Sequence, residues 1–350
     1  MEVDRAMNSV LDRREFLKAS MATGTVLLFG GGTLDSIFAQ TKPRFVEVDK
    51  LTITIVTDNY YERNSPDNAV AKRFRSTLDK SIHAEHGLSY YVETISGGQA
   101  SSFMFDYGVD AQSVMRNMEI LGINLEKIDG FGLSHGHWDH WGALVSILKA
   151  NQRKIPRNTP FYVGEGAFSE RFSVRSGSEP MRIPTLSRKD IESLGVLRIV
   201  EVTNAIEVMK GGYFTGRIER VTDYETIPYS LIKRGDKLEP DQFMDEQALF
   251  FIVKAKGLVI LVGCAHPGIV NTVKHVQKIT GVQKVHAVVG GFHLVVSKPE
   301  TVQKTVSDIK AISPDYVVPT HCTGFEPIIL FQKEMPKQFI LNTAGTKYVF

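Results

Sequence analysis

The chain reads as an α/β sandwich, and three observations point there. Its first half runs several antiparallel strands into a strand–loop–helix unit. Its second half repeats that unit three times, each with a histidine just past an apolar strand. Residues beyond the C-terminal ends of strands share one edge of a sheet, where active sites gather.

The elements follow in order. Residues 51–57 alternate Leu, Ile, Ile and Val against Thr, a strand ending at Asp58-Asn59. Residues 60–83 are polar and read as a surface excursion with helical patches such as 70–78. Glu85-His86-Gly87-Leu88-Ser89 opens a strand at 90–95, Gly97-Gly98 turns it, and 103–105 return to Asp106-Tyr107-Gly108. Residues 114–121 form a helix stopped by Gly122. The apolar run 128–133 is a strand, and a helix starting near Asp139 carries Ala143, Leu144, Ile147 and Leu148 at helical spacing. After a short strand at 161–163, residues 169–189 are Arg- and Ser-rich with few apolar anchors, an insertion suited to a lid. Short strands follow at 197–202, 206–209 and 216–221, and 226–241 read as irregular. The second half holds strands 248–253 and 258–262, helix 269–279, strand 285–289, helix 300–312, strand 316–318 and a closing strand 347–350.

The net charge of +2 gives no argument for nucleic acid. No segment after the N-terminus is long and apolar enough to span a bilayer. Residues 1–39 have the order of a twin-arginine export signal: Arg13-Arg14, Phe16-Leu17-Lys18, a modest apolar run at 19–29, then small residues up to Ala39. That implies the twin-arginine machinery as a partner, a periplasmic or extracellular location, and a single domain over 40–350. The route carries folded proteins, which suits a metal site assembled before export. The two cysteines, Cys264 and Cys322, could be oxidised in such a compartment. Their neighbours His266 and His321 favour a site role or plain packing.

The densest chemistry is Leu-Ser-His-Gly-His-Trp-Asp-His, residues 133–140. Imidazole and carboxylate are ligands for a borderline transition metal such as zinc or iron. His135 and His137 on a bent loop can converge on one ion, while Asp139 and His140 face a second. His266 and His321 each follow an apolar strand in a Gly-containing loop and read as further ligands. His293 suits substrate contact or general acid catalysis, and Cys264 either ligates as thiolate or is a small packing residue. Asp106 can hold a ligating imidazole in one tautomer. His86 is a weaker candidate for the site, His275 reads as surface, His286 as packing, and His83 is uninformative.

This loop resembles the signature of the metallo-β-lactamase fold superfamily. Within it, the chain is similar to the branch of the 7,8-dihydropterin-6-yl-methyl-4-(β-D-ribofuranosyl)aminobenzene 5′-phosphate synthases. The likeness runs through Asp58-Asn59, residues 85–89, residues 105–108, the metal loop, residues 215–218, residues 263–268, residues 290–293 and Thr320-His321-Cys322. It implies a four-layer αββα sandwich with the metal site at one edge between the sheets. It also implies that His135, His137 and a later histidine hold one metal, and that Asp139, His140 and His321 hold the other. Cys264 stands where an aspartate usually bridges the metals, and residues 244–247 lack the usual third histidine. Either His266 takes that role or the site binds one metal firmly and another weakly. Tyr107 and Ala143 are smaller departures. Pterin synthesis is cytoplasmic work, so the export signal keeps the synthase name from transferring.

The expected activity is an exported metal-dependent hydrolase acting on a small ester, phosphoester or related molecule through metal-activated water. One or two divalent ions serve as cofactors, zinc ahead of iron or manganese. Asp139 orients the water and His293 protonates the leaving group. Two alternatives stand beside it: an iron oxidoreductase or transferase, and a non-catalytic metal-containing binding protein. The intact ligand set argues against the last.

Overall fold

Two large sheets face each other. The first has eight strands in the order Leu197–Val202, Thr159–Gly164, Gly130–Gly132, Gln99–Tyr107, Ser89–Ser96, Lys50–Thr57, Lys347–Val349 and Ala71–Lys72. The second runs Ile206–Met209, Gly212–Phe214, Leu249–Val253, Gly257–Val262, Val285–Gly291 and Tyr316–Thr320, with Glu47–Val48 parallel to Leu249–Val253. The computed structural model describes residues 45–174, 178–226 and 230–350. The export signal expected at 1–39 lies outside the described residues. Residues Phe45–Phe350 cluster as one compact unit.

The strand sequences dictate the layers. Successive strand side chains point to opposite faces. In Leu249–Val253, Leu249, Phe251 and Val253 enter the core between the sheets, while Phe250 and Ile252 face outward. Their inward partners on the first sheet are Ile53, Ile55, Tyr90, Phe103 and Phe105. A strand apolar on both sides needs cover on both faces. Helices Ile269–Thr280, Pro299–Ile312 and Phe325–Glu334 supply it on the second sheet, through residues such as Val273, Ile309 and Phe331. Helices Ala111–Leu121, Leu144–Asn151 and Arg188–Ser193 cover the first, through Val114, Ile147 and Ile191. Three apolar cores separate four layers, the expected αββα sandwich.

Four expectations are corrected. No helix occupies 70–78: Ala71–Lys72 instead pairs with Lys347 and Tyr348 at the sheet edge. Strand pairing overrode a weak local helical pattern. Residues 216–221 are not a strand. Residues 226–241 are not wholly irregular, because Ser230–Arg234 and Lys237–Pro240 form a hairpin. That hairpin pairs with Arg171–Ser173 and Met181–Arg182 in a third, four-stranded sheet. The insertion at 169–189 is therefore anchored, with Arg171 only 1% exposed.

Among the described residues no helix is long and apolar enough to cross a membrane. Parallel strands Gly257–Val262, Val285–Gly291 and Tyr316–Thr320 all end at one rim of the sandwich. Their loops carry Cys264 and His266, His293, and His321. Across from them, Gly130–Gly132 delivers the 133–140 loop.

Candidate metal centre

The metal loop is held by hydrogen bonds that leave its histidines aimed at a common space. The Ser134 amide and hydroxyl both donate to the Asp106 carboxylate, at 2.8 Å each. The Gly136 amide donates to Asp245 Oδ2 at 2.8 Å. Glycine is required there, because a Cβ would sit 2.3 Å from Arg171 Nη1 and 2.4 Å from the Ala167 carbonyl. Arg171 in turn donates to Asp241 at 2.7 Å and Asp245 at 2.6 Å, a buried ionic triad. His137 then begins the single turn Trp138–Trp141, which turns Asp139 and His140 inward.

Two donor sets result. His135, His137 and His266 bring ligand atoms within 4.8 Å of one another. Asp139, His140, Cys264 and His321 do the same. Every residue expected as a ligand thus falls in one set or the other, and His266 joins the first in place of an upstream histidine. The Nδ1 atoms are occupied: His135 with Ser134 Oγ at 2.9 Å, His266 with Glu246 at 2.6 Å, His140 with Asp106 at 2.7 Å and His321 with Asn59 at 3.3 Å. A partner on one ring nitrogen fixes the tautomer and turns the other toward a metal. The Nε2 atoms of His135 and His266 are buried with no hydrogen-bond partner. A buried imidazole nitrogen without a partner is costly. A divalent cation would satisfy both atoms, so these residues fit one.

Electrostatics agree for the first set. Burial, with neighbouring imidazoles, holds His135 and His266 well below the usual imidazole range, and burial brings His137 down to about 3. All three stay neutral at ordinary pH, with lone pairs free for a metal. Burial pushes the Asp139 carboxyl up, but His140 and a hydrogen bond from His321 outweigh it and keep the group ionised. For His140, burial lowers and the Asp106 and Asp139 carboxylates raise; the net is up to about 9. Burial raises Glu246 well above the carboxylate range, against a hydrogen bond from the His266 amide.

The other expected residues fall nearby or apart. His293 sits with its ring 4.3 Å from His266 and its Nδ1 buried without a partner. His86 stacks on His321 at 5.1 Å and lies 3.7 Å from Asp139, so it joins the rim. His286 packs in its strand, bonded to Asp315 at 2.7 Å. His275 is half-buried rather than a plain surface residue. Cys264 lies 3.1 Å from His140 Nε2, and both cysteines are free thiols. Asp245, Glu246, Arg171 and Asn59 were not foreseen in these supporting roles. Phe243 was missed as well; its ring stacks on His266 at 4.0 Å. The only sequence signal was the acidic pair Asp245-Glu246 where the resemblance calls for a histidine.

No protein-family model matches the chain. It is 34% identical over 307 residues to the 7,8-dihydropterin-6-methyl-4-(β-D-ribofuranosyl)-aminobenzene-5′-phosphate synthase of Methanocaldococcus jannaschii, covering 85% of this chain and 96% of that protein. It is 28% identical over 254 residues to the uncharacterized protein MJ0448 of the same organism, covering 72% and 90%. Among solved structures, Tm1679, described as a metal-dependent hydrolase of the β-lactamase superfamily, superposes with a TM-score of 0.66 at 23% identity, covering 85% of this chain and 98% of that one. That likeness is one of fold. On the sequence match, the chain belongs to the family of the 7,8-dihydropterin-6-methyl-4-(β-D-ribofuranosyl)-aminobenzene-5′-phosphate synthase, and it has the metallo-β-lactamase fold.

Proposed function

We propose that the protein is a metal-dependent hydrolase of a small ester, phosphoester or related substrate. The observation that carries this is the pair of buried, partnerless Nε2 atoms on His135 and His266 beside a second, carboxylate-bearing donor set. His135, His137 and His266 would hold one divalent ion, and Asp139, His140, Cys264 and His321 a second. When bound, such ions supply Lewis acidity and a water that ionises near neutral pH. The ionised Asp139 accepts hydrogen bonds and can orient that water; its Oδ2 lies 3.1 Å from His321 Nε2, so both atoms face the same position. His293, its ring 4.3 Å from that of His266, is the titratable group beside the first donor set that can give a proton to a leaving oxygen. With zinc or manganese restored, hydrolysis of an aryl ester or aryl phosphodiester should appear and vanish with a chelator. A dead panel would defeat the reading.

A second reading, an iron-dependent oxidoreductase or transferase, is favoured by the thiol in the second set and by the synthase among the relatives. Iron in whole equivalents after growth without added zinc, with a visible band that bleaches on reduction, would select it over hydrolysis.

Export by the twin-arginine route is part of the proposal and rests on Arg13-Arg14 and the residues that follow. Changing both arginines to lysine should retain the protein in the cytoplasm. Unchanged export of that variant would remove this part of the reading.

A further inference from the structure

A third set of donors remains after the two already described. Cys264, His293 and Cys322 bring Sγ, an imidazole nitrogen and Sγ within 4.8 Å of one another. Three loops are locked together to do this. The Gly291 amide donates to the Gly263 carbonyl at 3.0 Å, the Phe292 amide to Thr323 Oγ1 at 2.9 Å, and the Val295 amide to the Cys322 carbonyl at 3.4 Å. Gly291 makes room for the second thiol, since a Cβ there would lie 2.7 Å from Cys322 Sγ. The Cys322 thiol also donates to the Cys264 carbonyl at 3.9 Å. His293 Nδ1 is buried and unpartnered in the same place. Neither cysteine is bridged.

The geometry points to a third metal position, held by Cys264, His293 and Cys322 and suited to a thiophilic ion such as zinc, with Cys264 shared between it and the Asp139–His140–His321 set. Two sulfurs and one imidazole are soft donors, and three protein ligands leave a tetrahedral ion one open position. Hard ions such as magnesium or calcium take oxygen ligands and are excluded by this donor set. The inference goes beyond the hydrolase reading and concerns occupancy rather than turnover; an ion on His293 Nδ1 would leave Nε2 of that ring as its proton-donating atom.

Cobalt(II) is the probe, since thiolate ligation gives it a sulfur-to-metal charge-transfer band. Titration of the reduced full-length protein should fill a third equivalent with a band from two thiolates. Cys322→Ser should lose that equivalent and about half of the band, and keep the remaining equivalents. His293→Ala removes a donor without touching either thiol, and should also lose the third equivalent should Cys322→Ser fail to fold. The proposal is overturned if both variants bind as many equivalents as the parent with the same band. It is also overturned if the protein, as purified under reductant, has a mass lower by two hydrogens because the thiols are joined to each other.

Discussion

Replacing His266 with alanine should lower affinity for the first divalent ion by about two orders of magnitude and remove turnover with it. A protein zinc site is worth about 10–16 kcal/mol over four ligands, so each ligand contributes about 3 kcal/mol, or about a hundredfold. His266 has no other evident task. Its Nδ1 is fixed by Glu246, its ring is clamped against Phe243, and its Nε2 faces His135 and His137 without a partner. His275 lies on the helix that begins three residues later and belongs to none of the donor sets. His275→Ala is therefore the control and should leave metal affinity unchanged. Chelator competition measures both. Equal affinities in the two variants would remove His266 from the centre.

The second large effect is on stability. Arg171→Met should cost about 3–5 kcal/mol, because it leaves Asp241 and Asp245 buried without their guanidinium. The urea midpoint should fall accordingly, and Asp241→Asn with Asp245→Asn in the same chain should recover part of the loss. The pH dependence has a definite sign. Burial already raises Asp245, and Arg171 is the main influence holding it down. Without Arg171 its folded-state pKa rises further above the unfolded value. Such a group favours the fold below the unfolded carboxylate pKa and loses that contribution as pH climbs through the folded one. The variant's deficit relative to the parent should thus shrink on acidification. A deficit that stays constant or grows on acidification contradicts the assignment. Metal affinity should fall too, since Asp245 also holds the Gly136 amide of the ligand loop.

Much of this was legible in the residues. The layers follow from strands apolar on both faces, as in 249–253 and 258–262. The ligand positions follow from histidines placed just past strand ends, where a shared sheet edge gathers them. Local signals failed where long-range pairing decides. Residues 70–78 carry a helical pattern, yet Ala71 pairs with Tyr348, which lies far away in sequence. The hairpin 230–240 had a readable clue in Gly235-Asp236, a two-residue turn with Gly235 at φ 59°. Its short strands, with Ile232 the one buried apolar residue, hid it. The supporting residues Arg171, Asp241, Asp245 and Glu246 sit in aperiodic loops or short strands. Nothing in composition distinguishes a buried carboxylate there from a solvated one. The deciding fact is tertiary: a third small sheet brings Arg171 against the metal loop.

The most direct test of the centre is a crystal structure of the metal-loaded protein with ions located by anomalous scattering. One ion should be bonded to Nε2 of both His135 and His266, with His137 completing the set and Glu246 still on Nδ1 of His266. An ion bound elsewhere, with the His266 ring left free or turned away, would contradict it.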